Sequence, residues 1–94
     1  MIKVLLADDH TIVRRGLVQL LSLDSQVTVS FEAQDGTEAL GYLRDHFVDV
    51  VVLDISMPGR SGLETLKEIK RLRPDVSVIV LSMHPADQYA VRVL

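Results

Sequence analysis

Apolar residues fall along this chain in two kinds of pattern. Residues 2–7, 49–53 and 76–81 are apolar almost without interruption, and at 27–33 Val27, Val29, Phe31 and Ala33 alternate with Thr28, Ser30 and Glu32. An unbroken β-branched run suits a strand buried on both faces, and strict alternation suits a half-exposed strand at a sheet edge. Between these blocks the spacing changes to three and four. Val13, Leu17, Leu20 and Leu21 make one stripe, with Arg14, Arg15 and Gln19 off it; Ala39, Leu40, Leu43 and Phe47 make a second. Leu63, Leu66 and Ile69 make a third, with Lys67, Glu68, Lys70 and Arg71 pointing outward. Each predicts an amphipathic helix. Asp35-Gly-Thr-Glu38 and Ser61-Gly-Leu-Glu64 read as capping boxes that open the second and third helices. Gly41 inside the second costs about 1 kcal/mol against Ala unless close packing requires it. Pro85 suits a first helical position, and Tyr89, Ala90 and Val93 predict a fourth helix running toward Leu94.

The predicted order is β-α-β-α-β-α-β-α. Alternation of this kind implies right-handed crossovers and a parallel sheet with helices on both faces. The expected fold is α/β, a flavodoxin-like doubly wound sheet in strand order 2-1-3-4, forming one domain over residues 1–94. No internal repeat or low-complexity linker divides it.

Composition narrows the function classes. With 94 residues the chain is one small domain, and its net charge of −3 gives no support to a nucleic-acid-binding surface. Without cysteine there is neither disulfide nor thiolate chemistry. No apolar run approaches the roughly 20 residues of a membrane span, and two aspartates follow Ala7 too soon for a signal peptide. A soluble cytoplasmic protein is expected.

Three predicted strands end on oxygen-bearing side chains: the first on Asp8-Asp9, the third on Asp54, the fourth on Ser82. In a parallel sheet these ends share the carboxyl edge, where ligands bind in open α/β folds. Like charges about 4 Å apart repel by roughly 4 kcal/mol at an effective dielectric of 20. Crowded carboxylates there either resist ionisation or hold a cation, and an all-oxygen set suits Mg2+. Such a cluster supports phosphoryl transfer onto a carboxylate, with a hydroxyl at Ser82 reading the product. The plain alternatives are a strand-end or cap role for the aspartates and a loop-entry role for Ser82. His10 and His84 read as rim histidines, His46 as a favourable charge at a helix C-terminus, and Pro58-Gly59 as loop-shaping residues. Arg14 and Arg15 read either as solvated surface or as part of a docking face for a kinase.

Asp8-Asp9, Val-Val-Leu-Asp54-Ile-Ser-Met-Pro58-Gly59 and Val-Leu-Ser82-Met-His84, at these separations, resemble the receiver domain of two-component response regulators. The Leu-Asp-Ile-Ser-Met-Pro-Gly and Leu-Ser-Met-His segments look most like the subfamily with a C-terminal helix-turn-helix DNA-binding domain. The resemblance implies that Asp54 is the phosphoacceptor and Asp9 a direct Mg2+ ligand, with Mn2+ as the substitute ion. It further implies that Asp8 acts through water, that the Ser56 backbone carbonyl completes the metal site, and that Ser82 is the switch hydroxyl. A histidine kinase or a small acyl phosphate would be the donor. The domain would catalyse its own phosphorylation and dephosphorylation, and transcription through an output helix-turn-helix domain would be the response.

One departure is serious. The family's fifth strand with its active-site lysine, a nearby switch aromatic and a fifth helix have no counterpart here, and Lys3, Lys67 and Lys70 cannot be mapped to that role. The missing strand would leave the fourth strand as an exposed edge, so a homodimer through that edge, or by exchange of elements, is expected. A phosphorylation-incompetent binding or dimerisation module is thus the alternative. An aspartyl phosphatase of the haloacid dehalogenase type is the remote one, since Ser56 stands where that family has a second Asp.

Overall fold

In the computed structural model, residues 1–56, 62–84 and 88–93 are described, with backbone only from 82 onward. The elements are β1 (Ile2–Ala7), α1 (Thr11–Leu21), β2 (Val27–Ala33), α2 (Gly36–Asp45), β3 (Val50–Asp54), α3 (Gly62–Leu72), β4 (Ser77–His84) and β5 (Gln88–Val93). The sheet runs β2-β1-β3-β4-β5, with the first four strands parallel.

The uninterrupted apolar runs have a direct structural reason. Leu5, Ala7, Val51, Leu53, Val78 and Val80 lie in one core layer, which α2 closes with Ala39, Leu40 and Leu43 and α3 with Ile69. Val4, Leu6, Val52 and Leu81 lie in the other, covered by Leu17, Val18 and Leu21 of α1. Both faces of every central strand are therefore apolar, and β2 at the edge is only half-buried. Asp35 caps α2, accepting from the Glu38 N–H at 2.8 Å, while the Glu38 carboxylate accepts the Gln34 N–H at 2.9 Å. The reciprocal pair forms one residue out of the usual register.

The α1 and α3 stripes are rotated from the predicted ones, in opposite senses, while α2 keeps Ala39, Leu40 and Leu43 inward as predicted. The α1 stripe is Arg14, Leu17, Val18 and Leu21, with Arg14 buried and Leu20 65% exposed. Gly62, Thr65, Leu66 and Ile69 face inward on α3 while Leu63 is 60% exposed, and Phe47 lies beyond the end of α2, exposed. Each inward set follows i, i+3, i+4, i+7, and α2 does the same with Gly36, Ala39, Leu40 and Leu43. The first position of each stripe, next to the carboxyl edge, holds Arg or Gly, which hydrophobic patterning passes over.

Residues 88–93 form a strand rather than the predicted fourth helix. β5 returns antiparallel to β4, Ser82 opposite Ala90 and Ile79 opposite Val93. Its sequence, Gln-Tyr-Ala-Val-Arg-Val, is rich in strand-forming residues. The β4 edge would otherwise present unpaired backbone groups. This is not the parallel fifth strand implied by the resemblance. It also occupies the edge on which dimerisation through the fourth strand was expected.

Candidate functional site

β1 and β3 deliver their aspartates to the same edge. Asp8 continues the register of Leu6 on the α1 side of the sheet, and its N–H makes a last rung to Ala33 O at 3.0 Å. The chain then turns, and Asp8 Oδ1 accepts the His10 N–H at 2.7 Å. His10 takes the N-cap position of α1 without a side-chain cap. Neither aspartate caps the helix itself; Asp8 instead holds the turn that precedes it. Asp54 ends β3, and its Oδ1 accepts both the Ser56 N–H at 2.9 Å and the Ser56 hydroxyl at 2.6 Å. Asp8 and Asp54 are 2% and 3% exposed.

Asp8, Asp9, His10 and Asp54 each bring one candidate ligand atom within 4.8 Å of the others. The His10 imidazole lies at the rim, its side chain 48% exposed, yet within reach of all three carboxylates. His10 Nδ1 is 3.2 Å from Asp8 Oδ1, 3.1 Å from Asp9 Oδ1 and 3.6 Å from Asp54 Oδ2. The Asp9 approach is close but misaligned for a hydrogen bond, so the buried Asp9 Oδ1 is left without a hydrogen-bond partner.

Burial is the main cause that pushes the Asp8 carboxyl above its ordinary value, with the Asp54 charge adding to it and the His10 N–H opposing. The His10 imidazole is pushed up as well, first by its hydrogen bond to Asp8 and then by the Asp9 charge. The site therefore attracts positive charge. The three carboxylates, with one buried oxygen unsatisfied, fit a hard divalent cation such as Mg2+, and the His10 imidazole stands beside them.

The structure brings together Asp8, Asp9, Asp54 and Ser56. Ser82 follows Leu81, the residue paired with Asp54, so its backbone lies at the same edge. The side chains of Ser82 and His84, and Pro58 and Gly59 altogether, lie outside the described residues. Lys70 is remote, its Nζ donating to Val76 O at 2.7 Å before β4 begins. Three contributions escaped the sequence reading: the Ser56 hydroxyl on Asp54, the reach of the His10 imidazole to all three carboxylates, and the buried Arg14. The Arg14 signal was present in its spacing from Leu17, Val18 and Leu21. A cavity of about 190 Å3 between Phe47–Val48 and residues 72–76 lies at the opposite edge, away from these groups.

Comparison with known proteins decides the family. The family model for the response regulator receiver domain matches residues 4–94. The chain belongs to the response regulator receiver family. Among relatives, response regulator UvrY of Escherichia coli K12 is 40% identical over 94 residues, covering 100% of this chain and 43% of UvrY. Among solved structures, RcsB of Salmonella enterica serovar Typhimurium, bound to promoter rprA in the presence of phosphomimetic BeF3-, is similar. It superposes with a TM-score of 0.84 at 37% identity, covering 89% of this chain and 71% of that one. A LuxR-family two-component response regulator from Aurantimonas sp. SI85-9A1 gives 0.81 at 33% identity, covering 87% and 59%. The receiver is thus most similar to the subfamily with a C-terminal helix-turn-helix, and it spans about 43% of the length of the curated relatives it matches. Receiver domains typically bind Mg2+ at an acidic pocket. Among the described residues, no helix of this receiver is long and apolar enough to cross a membrane.

Proposed function

We propose that this chain is a phosphoacceptor switch in which Asp54 takes a phosphoryl group from a histidine kinase or a small acyl phosphate. The observation that carries this reading is the convergence of buried Asp54 with Asp8 and Asp9 around a position already attractive to a cation. A carboxylate oxygen of Asp54 forms the new bond to phosphorus. The bond to the donor's nitrogen or carboxylate oxygen breaks, and the donor leaves with the electron pair. Ser56 engages Oδ1, and Oδ2 faces His10.

Asp9 and Asp54 would hold Mg2+ or Mn2+ directly, with the Ser56 backbone carbonyl, and Asp8 would act through water. The ion, when bound, neutralises charge on the transferring group. Ser82 is proposed as the hydroxyl that binds the phosphorylated form, coupling Asp54 to β4 and the chain beyond it. In a longer cytoplasmic protein a helix-turn-helix output domain would convert that change into control of transcription.

Incubation with acetyl phosphate and Mg2+, followed by intact mass, tests the reading. A one-phosphoryl mass increase that Asp54→Asn abolishes is expected. Mg2+ binding without any adduct would overturn it in favour of a binding module, and turnover of a phosphomonoester in favour of a phosphatase.

A further inference from the structure

Arg14 has no part in the chemistry above, yet it is the residue that α1 buries most completely. A guanidinium at an inward position is costly unless its donors are satisfied, and an apolar side chain would fill the stripe without that penalty. Its donors go to the acidic turn and to β2. Nη1 donates to the Asp8 carbonyl at 2.6 Å, and Nε donates to Glu32 Oε1 on β2 at 3.1 Å. The Asp8 N–H is meanwhile tied to Ala33 O of the same strand.

The Asp8 carbonyl belongs to the peptide unit that carries the Asp9 nitrogen. Fixing that plane fixes the direction in which Asp9 leaves the backbone, and Asp9 Oδ1 is the buried oxygen left without a hydrogen-bond partner. We infer that Arg14 is a positioning residue: clamped between the Asp8 carbonyl and Glu32, it sets the Asp8–Asp9 peptide and aims both carboxylates at Asp54. This rests on the cation-assisted phosphoacceptor reading of the cluster. Buried in this way, Arg14 fits neither surface reading its sequence position offered, solvated residue or part of a kinase-docking face. Lysine does not replace it fully, because the planar fork reaches two acceptors on different elements and an ammonium reaches them less well.

The test is NMR titration of the full chain with Mg2+, following the Asp9 and His10 amides. The variants are Arg14→Met, Arg14→Lys and Glu32→Gln, with Val48→Ala as a destabilised control whose buried side chain is remote from the site. Arg14→Met is expected to shift the Asp9 amide before any metal is added and to weaken Mg2+ binding by about tenfold, the size usual for residues that orient ligands. Arg14→Lys should recover part of that affinity, Glu32→Gln should lose less than Arg14→Met, and Val48→Ala should bind as wild type. A folded Arg14→Met with wild-type affinity overturns the inference. If Arg14→Met does not fold, wild-type affinity in both Arg14→Lys and Glu32→Gln overturns it instead. A wild-type chain that binds no Mg2+ overturns the site reading beneath it, a distinct outcome.

Discussion

Gly62 offers a sharp test of how α3 is seated beside the site. It is the first residue of α3, and a Cβ built there would overlap the Cα and carbonyl oxygen of Ile55, the residue between Asp54 and Ser56. Backbone cannot rotate away as a side chain can. Gly62→Ala must therefore push α3 off the loop or displace the loop itself. Overpacking of this kind costs roughly 1–3 kcal/mol. The gain from a less flexible unfolded chain offsets about 0.4–1 kcal/mol of that. At the midpoints of those ranges a net loss of about 1.3 kcal/mol remains, or roughly 5–10 °C in Tm for a domain this size. Gly41 is the internal control, since a Cβ there meets nothing within 4 Å. Gly41→Ala should gain up to about 1 kcal/mol, because close packing does not require that glycine. Urea and thermal unfolding of the two variants measure both. Gly62→Ala as stable as wild type would refute the close seating of α3 on the Asp54 loop. The same displacement should slow phosphorylation of Asp54, which a purely global destabilisation, read well below Tm, would not.

Burial and charge set the other expected outcomes. His10, whose pKa is raised by Asp8 and Asp9, binds a proton in the folded state that the unfolded state releases above about pH 6.5. Its contribution is therefore fully present below that pH and is lost as pH rises through the folded value; His10→Gln should flatten this slope in chelator-containing buffer. Leu53→Ala, at a fully buried position, should cost about 2–5 kcal/mol in urea unfolding. Leu63→Ala, on the exposed side of α3, should stay within about 0.5 kcal/mol of wild type. Equal losses would restore Leu63 to the core stripe predicted from its spacing.

The strands and the acidic cluster were legible because both signals are local. Uninterrupted apolar runs ending on Asp8-Asp9 and Asp54 could be placed without knowing any contact. Helix facing was less legible, since Arg14, Gly36 and Gly62 occupy inward positions for reasons that lie on other elements: the Asp8 carbonyl, Thr65 and the Ile55 backbone. Hydrophobic periodicity then favours an alternative stripe through Leu20 or Leu63. His10 stays at the rim, as its position suggests, with its side chain 48% exposed; its reach to the carboxylates depends on the turn held by Asp8 Oδ1, which sequence alone does not show. Residues 88–93 carry both a short helical stripe and strong strand propensity, and pairing with β4 decides between them.

Intact mass of the chain after acetyl phosphate and Mg2+, beside Asp54→Asn, addresses the central claim most directly. The proposed function predicts a single phosphoryl adduct on the wild type, none on the variant, and loss of the wild-type adduct when the metal is chelated. An adduct that persists in Asp54→Asn, or a folded wild type that never acquires one, would contradict it.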